Sequence, residues 1–121
     1  MAKILIVEDE ENIRNTLKNV LEDEGFEVKV ASNGCIAMEY LDENQVDLVI
    51  TDIIMPEKEG VEMIIELRDK FPELKIIAMS GGGHIDPHCY LNTVTYLGVK
   101  NTFTKPFHVE DMINTVKEML S

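Results

Sequence analysis

The chain has 121 residues, a net charge of −12, 45% hydrophobic residues and no tryptophan. That length fits one domain, expected over residues 1–121, with a core built from Ile, Val, Leu and Met. The acidic balance argues against binding a nucleic-acid backbone or an anionic membrane surface, and no apolar run reaches the length of about 18 residues that a transmembrane helix needs.

The segment Met1 to Asp9 carries one lysine and a short apolar run, and it lacks the features of a signal peptide. A cytoplasmic location is the expectation. Cys35 and Cys89 show neither metal-type spacing nor a disulfide framework. Lys3 to Val7 is a continuous run with β-branched residues, the pattern of a strand buried on both faces. Asn12 to Glu24 places Ile13, Leu17, Val20 and Leu21 at helical spacing, with Gly25 as its stop. Glu27 to Ala31 is a second strand. Ser32-Asn33-Gly34 forms a turn or cap, and Cys35 to Asn44 is a helix with Ile36, Ala37, Tyr40 and Leu41 inward.

Val46 to Thr51 is a third strand, after which Asp52 opens a loop punctuated by Pro56 and Gly60. Val61 to Phe71 is helical, with Ile64, Ile65 and Leu67 as core candidates, and Pro72 ends it. Lys75 to Ser80 is a fourth strand. Gly81-Gly82-Gly83 and His84 to Pro87 form a loop, and His88 to Leu97 a helix stopped by Gly98. Val99 to Thr104 is a fifth, more polar strand. Lys105-Pro106-Phe107 is a turn, and His108 to Leu120 is a last helix with Val109, Met112, Ile113, Val116 and Leu120 on one face.

Strands alternate with helices five times, which predicts an α/β fold: a doubly wound, parallel five-stranded sheet with helices on both faces. Right-handed crossovers leave few strand orders, and the flavodoxin-like order 2-1-3-4-5, a (βα)5 arrangement, suits this length. In that order the carboxyl ends of strands 1, 3, 4 and 5 share one edge. Glu8 and Asp9, Asp52, Ser80 and Lys105 lie there. Taken alone, Asp52 reads as a cap or turn residue. Taken together, these residues form a site. The acids would repel by roughly 4 kcal/mol per pair at about 4 Å and a dielectric near 20, so they call for protons or a cation. Hard oxygen ligands suit Mg2+. With a lysine for phosphate oxygens and a hydroxyl as donor, the parts for phosphoryl transfer to a carboxylate are present.

Four stretches carry a resemblance: Ile4-Leu5-Ile6-Val7-Glu8-Asp9-Glu10, Asp52-Ile53-Ile54-Met55-Pro56 with Gly60, Met79-Ser80-Gly81, and Thr104-Lys105-Pro106-Phe107. In this order, over essentially the whole length, the chain resembles a bacterial two-component response-regulator receiver domain of the CheY-like type. The resemblance implies that Asp52 is the phosphoacceptor and that Asp9 ligates Mg2+, with Glu8 contributing indirectly. The main-chain carbonyl of Ile54 would be a further ligand. Ser80 would bond the phosphoryl group, and Lys105 would pair with one of its oxygens across a cis bond to Pro106. Met55, Pro56 and Gly60 would shape the loop. The implied partners are a sensor histidine kinase or histidine phosphotransfer protein upstream and an unidentified protein downstream. The chain would be a monomer or weak dimer and a phosphoacceptor rather than an enzyme with turnover.

The sequence departs from that pattern in places. Most receivers carry Tyr or Phe three residues before the strand-5 lysine, where Thr102 stands here. Phe103, one residue later, points to the other face. Thr102 and Ser80 are therefore the switch positions in question. The glycine-rich loop after Ser80 is read as mobile before phosphorylation; a phosphate-cradling loop is the sharper alternative, but the Lys-Ser/Thr of a P-loop does not follow it. His84, Asp86, His88 and Cys89 match no common metal spacing, and His108 reads as a helix start. Ile54 offers no polar side chain to orient a hydrolytic water, which predicts a long-lived aspartyl phosphate. Two other functions compete: a receiver-like module that binds partners without phosphorylation, and a phosphatase with an aspartate nucleophile. The latter places a second Asp two residues after the first, where this chain has Ile54.

Overall fold

The computed structural model describes residues 2–52, 60–80, 98–99 and 101–121. Five strands, β1 (Lys3–Val7), β2 (Glu27–Ala31), β3 (Leu48–Asp52), β4 (Lys75–Ser80) and β5 (Asn101–Thr104), form one sheet in the order β2-β1-β3-β4-β5. Every pairing is parallel, with Ile6 beside Val30 and Ile50, Ile50 beside Ile77, and Ile77 beside Asn101. Four helices belong to the described residues: α1 (Glu11–Asp23), α2 (Gly34–Glu43), α3 (Gly60–Lys70) and α4 (Val109–Leu120). The helix expected over His88 to Leu97 and the glycine-rich loop before it lie outside the described residues.

Strand alternation divides the core in two. Ile4 and Ile6 of β1, Leu48 and Ile50 of β3, and Ile77 and Met79 of β4 pack with Leu17 and Leu21 of α1 and Met112 and Val116 of α4. The intervening residues Leu5, Val7, Val49, Ile76 and Ala78 pack on the opposite face with α2 and α3. This is why β1 and β3 read as unbroken apolar runs: both faces are buried, so no polar residue alternates. The edge strand β2 has only Val28 and Ala31 buried, and Val30 is 39% exposed.

Local chemistry sets the element ends. Gly25 takes φ +96°, and the Phe26 and Gly25 amides bond the Leu21 and Glu22 carbonyls at 3.2 and 3.0 Å, a Schellman closure of α1. The Asn33 side chain accepts from the Ile36 amide at 2.9 Å and caps α2. His108 stands at the N-cap of α4. Arg68 donates to the carbonyls of Pro72, Leu74 and Gly98, tying α3 to the start of β4 and the approach to β5.

The structure corrects two inward assignments. Ile36 is 45% exposed and Ile65 is 51% exposed. Met38 and Met63 occupy the core in their place. In each helix the buried set follows an i, i+1, i+4 phase (Ala37, Met38, Leu41; Met63, Ile64, Leu67), and the isoleucine lies one residue outside that stripe. Strand boundaries also move. β3 runs to Asp52, which pairs in register with Met79, so Asp52 is the last strand residue rather than the first of a loop. β5 begins at Asn101, with Val99 buried just ahead of it. Among the described residues no helix is long and apolar enough to cross a membrane.

Candidate functional site

The carboxyl edge of the sheet gathers the acids. Glu8 follows β1 and is fully buried; its amide bonds the Ala31 carbonyl at 3.1 Å. Asp52 ends β3 and is also buried, and the Thr51 hydroxyl donates to its main-chain carbonyl at 2.9 Å. Asp9 is exposed. Ligand oxygens of Glu8, Asp9 and Asp52 lie within 4.8 Å of one another. Lys105, just beyond β5, reaches between them. Its Nζ donates to Asp52 Oδ2 at 2.7 Å and to Glu8 Oε2 at 2.9 Å.

This arrangement decides the charges. Burial pushes the Glu8 carboxyl up to about 7. The hydrogen bond from Lys105 opposes the rise, and the neighbouring Asp52 charge reinforces it. Burial works against the Lys105 ammonium, but its bonds to Asp52 and Glu8 and their charges outweigh that and raise its pKa. Lys105 is therefore held as a cation. Among the described residues, the carboxyl groups of Glu8, Asp9 and Asp52 outnumber the Lys105 ammonium even with Glu8 part-protonated, and this set of hard oxygen donors fits a hydrated, oxygen-seeking divalent cation such as Mg2+. Among the described residues, neither nitrogen nor sulfur ligands contribute to the cluster.

Of the site residues expected from sequence, Glu8, Asp9, Asp52 and Lys105 come together. The backbone of Ser80 ends β4 and pairs in register with Thr104, one step from the Asp52–Met79 pair. Its side chain, and Ile54 with its carbonyl, lie outside the described residues, as do His84, Asp86, His88 and Cys89. Thr102 is half-buried and stands beside Ala78, which belongs to the α2 and α3 face. Phe103 packs instead with the α1 and α4 cluster, its ring 5.6 Å from that of Phe107 in an edge-to-face contact. The Lys105–Pro106 peptide bond is cis.

Two features escaped the sequence reading. The guanidinium of Arg14, in α1, donates to the Glu8 carbonyl at 3.0 Å. The hint was a cation shortly after four consecutive acids, Glu8 to Glu11, but its spacing alone marks only a polar helix face. The second is a cavity of about 470 Å3 between α1 and the start of α4, bounded by Lys105, Pro106, Phe107, Val109, Ile13 and Thr16. A larger cavity of about 1160 Å3 lies at the opposite edge, before β1, β3 and β4, and has no acid of the cluster in its wall.

Fold and site together define a doubly wound α/β domain with a divalent-cation site of carboxylates and a lysine at its switch edge. The chain matches the response regulator receiver domain over residues 4–117, and it belongs to that family. It is 33% identical over 120 residues to the response regulator receiver protein CpdR of Brucella abortus, covering 99% of this chain and 98% of CpdR. It is 30% identical over 118 residues to sporulation initiation phosphotransferase F of Bacillus subtilis, covering 98% and 93%. The crystal structure of response regulator protein TrrA from Thermotoga maritima, in complex with Mg2+-BeF, superposes with a TM-score of 0.85. That pair shares 34% identity over 98% of this chain and 99% of TrrA. Several other relatives are longer, and the chain spans half of their length or less.

Proposed function

We propose that this receiver domain accepts a phosphoryl group on Asp52 from a phosphohistidine of a sensor histidine kinase or histidine phosphotransfer protein. The observation that carries the reading is the convergence of Asp52, Glu8, Asp9 and Lys105 at one sheet edge. An Asp52 carboxylate oxygen attacks phosphorus, the phosphorus–nitrogen bond breaks, and the departing imidazole takes its electron pair and a proton. Mg2+ held by Asp9 and Asp52, with Glu8 acting indirectly and the Ile54 carbonyl as a further ligand, would neutralise charge on the transferring group. Lys105, already bonded to Asp52, is placed to pair with a phosphoryl oxygen. Ser80 would supply a further hydrogen bond. The cavity beside Lys105 offers apolar surface at the mouth of the site for the donor protein.

The added charge of about −1.5 to −2 would bias the strand-4 and strand-5 ends and so the binding of a downstream protein. Thr102 leaves this domain without the usual ring at the output position, so signalling runs through Ser80 and the backbone that follows it. In this reading residues 1–121 act as one cytoplasmic phosphoacceptor domain, monomeric or weakly dimeric. It assists its own phosphorylation and slow dephosphorylation without further turnover. Intact-mass measurement after acetyl phosphate with Mg2+ tests it. Wild type should gain one phosphoryl group, and Asp52→Asn or added EDTA should abolish the gain. A folded wild type that gains nothing would favour the alternative, a binding module that works without phosphorylation.

A further inference from the structure

We infer that Arg14 is a positioning residue for the divalent-cation site, holding the turn that carries Asp9. The inference rests on the assignment of Glu8, Asp9 and Asp52 as that site. Residues Glu8 to Glu11 are four consecutive acids between β1 and the first turn of α1. Their mutual repulsion favours an open turn, so other contacts must hold it closed. The Glu8 amide is fixed to β2 through Ala31, and the Glu10 amide bonds Glu8 Oε1 at 3.2 Å. The Glu8 carbonyl accepts from Arg14 Nη1 at 3.0 Å, while the Arg14 amide bonds the Glu10 carbonyl at 3.0 Å. The Arg14 side chain thus ties the start of the Glu8–Glu10 turn to α1, while its amide makes the helix's own first bond to the N-cap residue Glu10, which any residue here would keep.

Asp9 sits at the middle of this turn and is exposed, and no partner for its carboxylate is found among the described residues. Its position is inherited from the turn's backbone. The Arg14 side chain engages the Glu8 carbonyl, and the oxygens that this turn brings to the cluster are those of the Glu8 and Asp9 carboxylates. Partners that orient metal ligands from outside the coordination sphere affect metal affinity by about 10–100-fold.

Arg14 has two possible effects of opposite sign, which makes the role testable. As a nearby positive charge it weakens cation binding, so its removal would tighten binding. As a clamp it strengthens binding, so its removal weakens it. Calorimetric titration of MgCl2 into the full chain at pH 7 distinguishes them, with far-UV dichroism confirming that each variant is folded. The expected result is a Kd for Mg2+ raised by about tenfold or more in Arg14→Met, with Arg14→Lys in between because it keeps the charge and a donor. Arg14→Gln carries the same comparison if Arg14→Met does not fold. A merely structural arginine would lower the metal-free melting temperature and leave the Kd of the folded protein unchanged. An unchanged or lower Kd in the folded neutral variant overturns the inference. Absence of Mg2+ binding by the wild type would instead overturn the metal site itself, and the role built on it.

Discussion

Lys105 bridges two buried carboxylates, and its removal should expose what the bridge does. In Lys105→Met, Glu8 and Asp52 would face each other with no ammonium between them. Removing one partner from a buried ion pair costs about 3 kcal/mol or more. We expect a loss of that order in urea unfolding at pH 7 without metal, and a smaller loss at pH 5, where Glu8 can hold a proton. The sign for Glu8 in the wild type follows from its folded pKa of about 7 against an ordinary value of 4.5. Between these values the folded state binds the proton more tightly than the unfolded chain, so Glu8 stabilises the fold less as pH rises through this window. Metal-free stability should therefore contain a component that falls from about pH 4.5 to pH 7, and Glu8→Gln should remove it. A Glu8→Gln profile with the wild-type slope across that window would show that the buried carboxylate is not the titrating group.

The helices carry their own test at the next scale. Period alone left one residue of ambiguity in α2 and α3, because each contains three adjacent apolar residues (Ile36-Ala37-Met38; Met63-Ile64-Ile65) that two neighbouring stripes can claim. The sheet resolved it: Met38 and Met63 face the strands, and Ile36 and Ile65 face solvent. Met63→Ala should cost about 2–5 kcal/mol through lost burial and a cavity, whereas Ile65→Ala should stay within about 0.5 kcal/mol. Thermal or urea melts of the two variants check this directly. Equal losses would mean that the helix phase is wrong. The same scale explains the shift at β3. Ladder pairing with β4 extends through Asp52 and Met79, so the site aspartate is held by the sheet itself. Its backbone is fixed to β4 on one side, which suits a group that must keep its place while its charge changes.

For the molecule as a whole, the acid cluster couples metal binding to folding. Glu8 and Asp9 come from one strand end and Asp52 from another, and only the assembled sheet brings their oxygens within 4.8 Å. The unfolded chain has no such site, so Mg2+ at about 100 times its Kd should add about 2.7 kcal/mol to the unfolding free energy. Urea unfolding with Mg2+ and with EDTA measures this, and identical midpoints would contradict a folded-state site. Much of this protein was legible in its sequence. The apolar runs Ile4–Val7, Leu48–Ile50 and Ile76–Met79 read as buried strands, because no polar residue interrupts them, and their alternation with amphipathic helices left a doubly wound sheet as the consistent answer. Given that sheet, Glu8, Asp9, Asp52 and Lys105 had to meet at one edge, since strand ends in a parallel sheet share a direction. Which acid is buried and which exposed, the two hydrogen bonds that Lys105 donates to Glu8 and Asp52, the reach of Arg14 back to the Glu8 carbonyl, and the outward turn of Ile36 and Ile65 were decided only by the tertiary structure. Those features depend on distances between side chains from separate elements and on a helix phase finer than one residue, and hydrophobic periodicity along a single chain encodes neither.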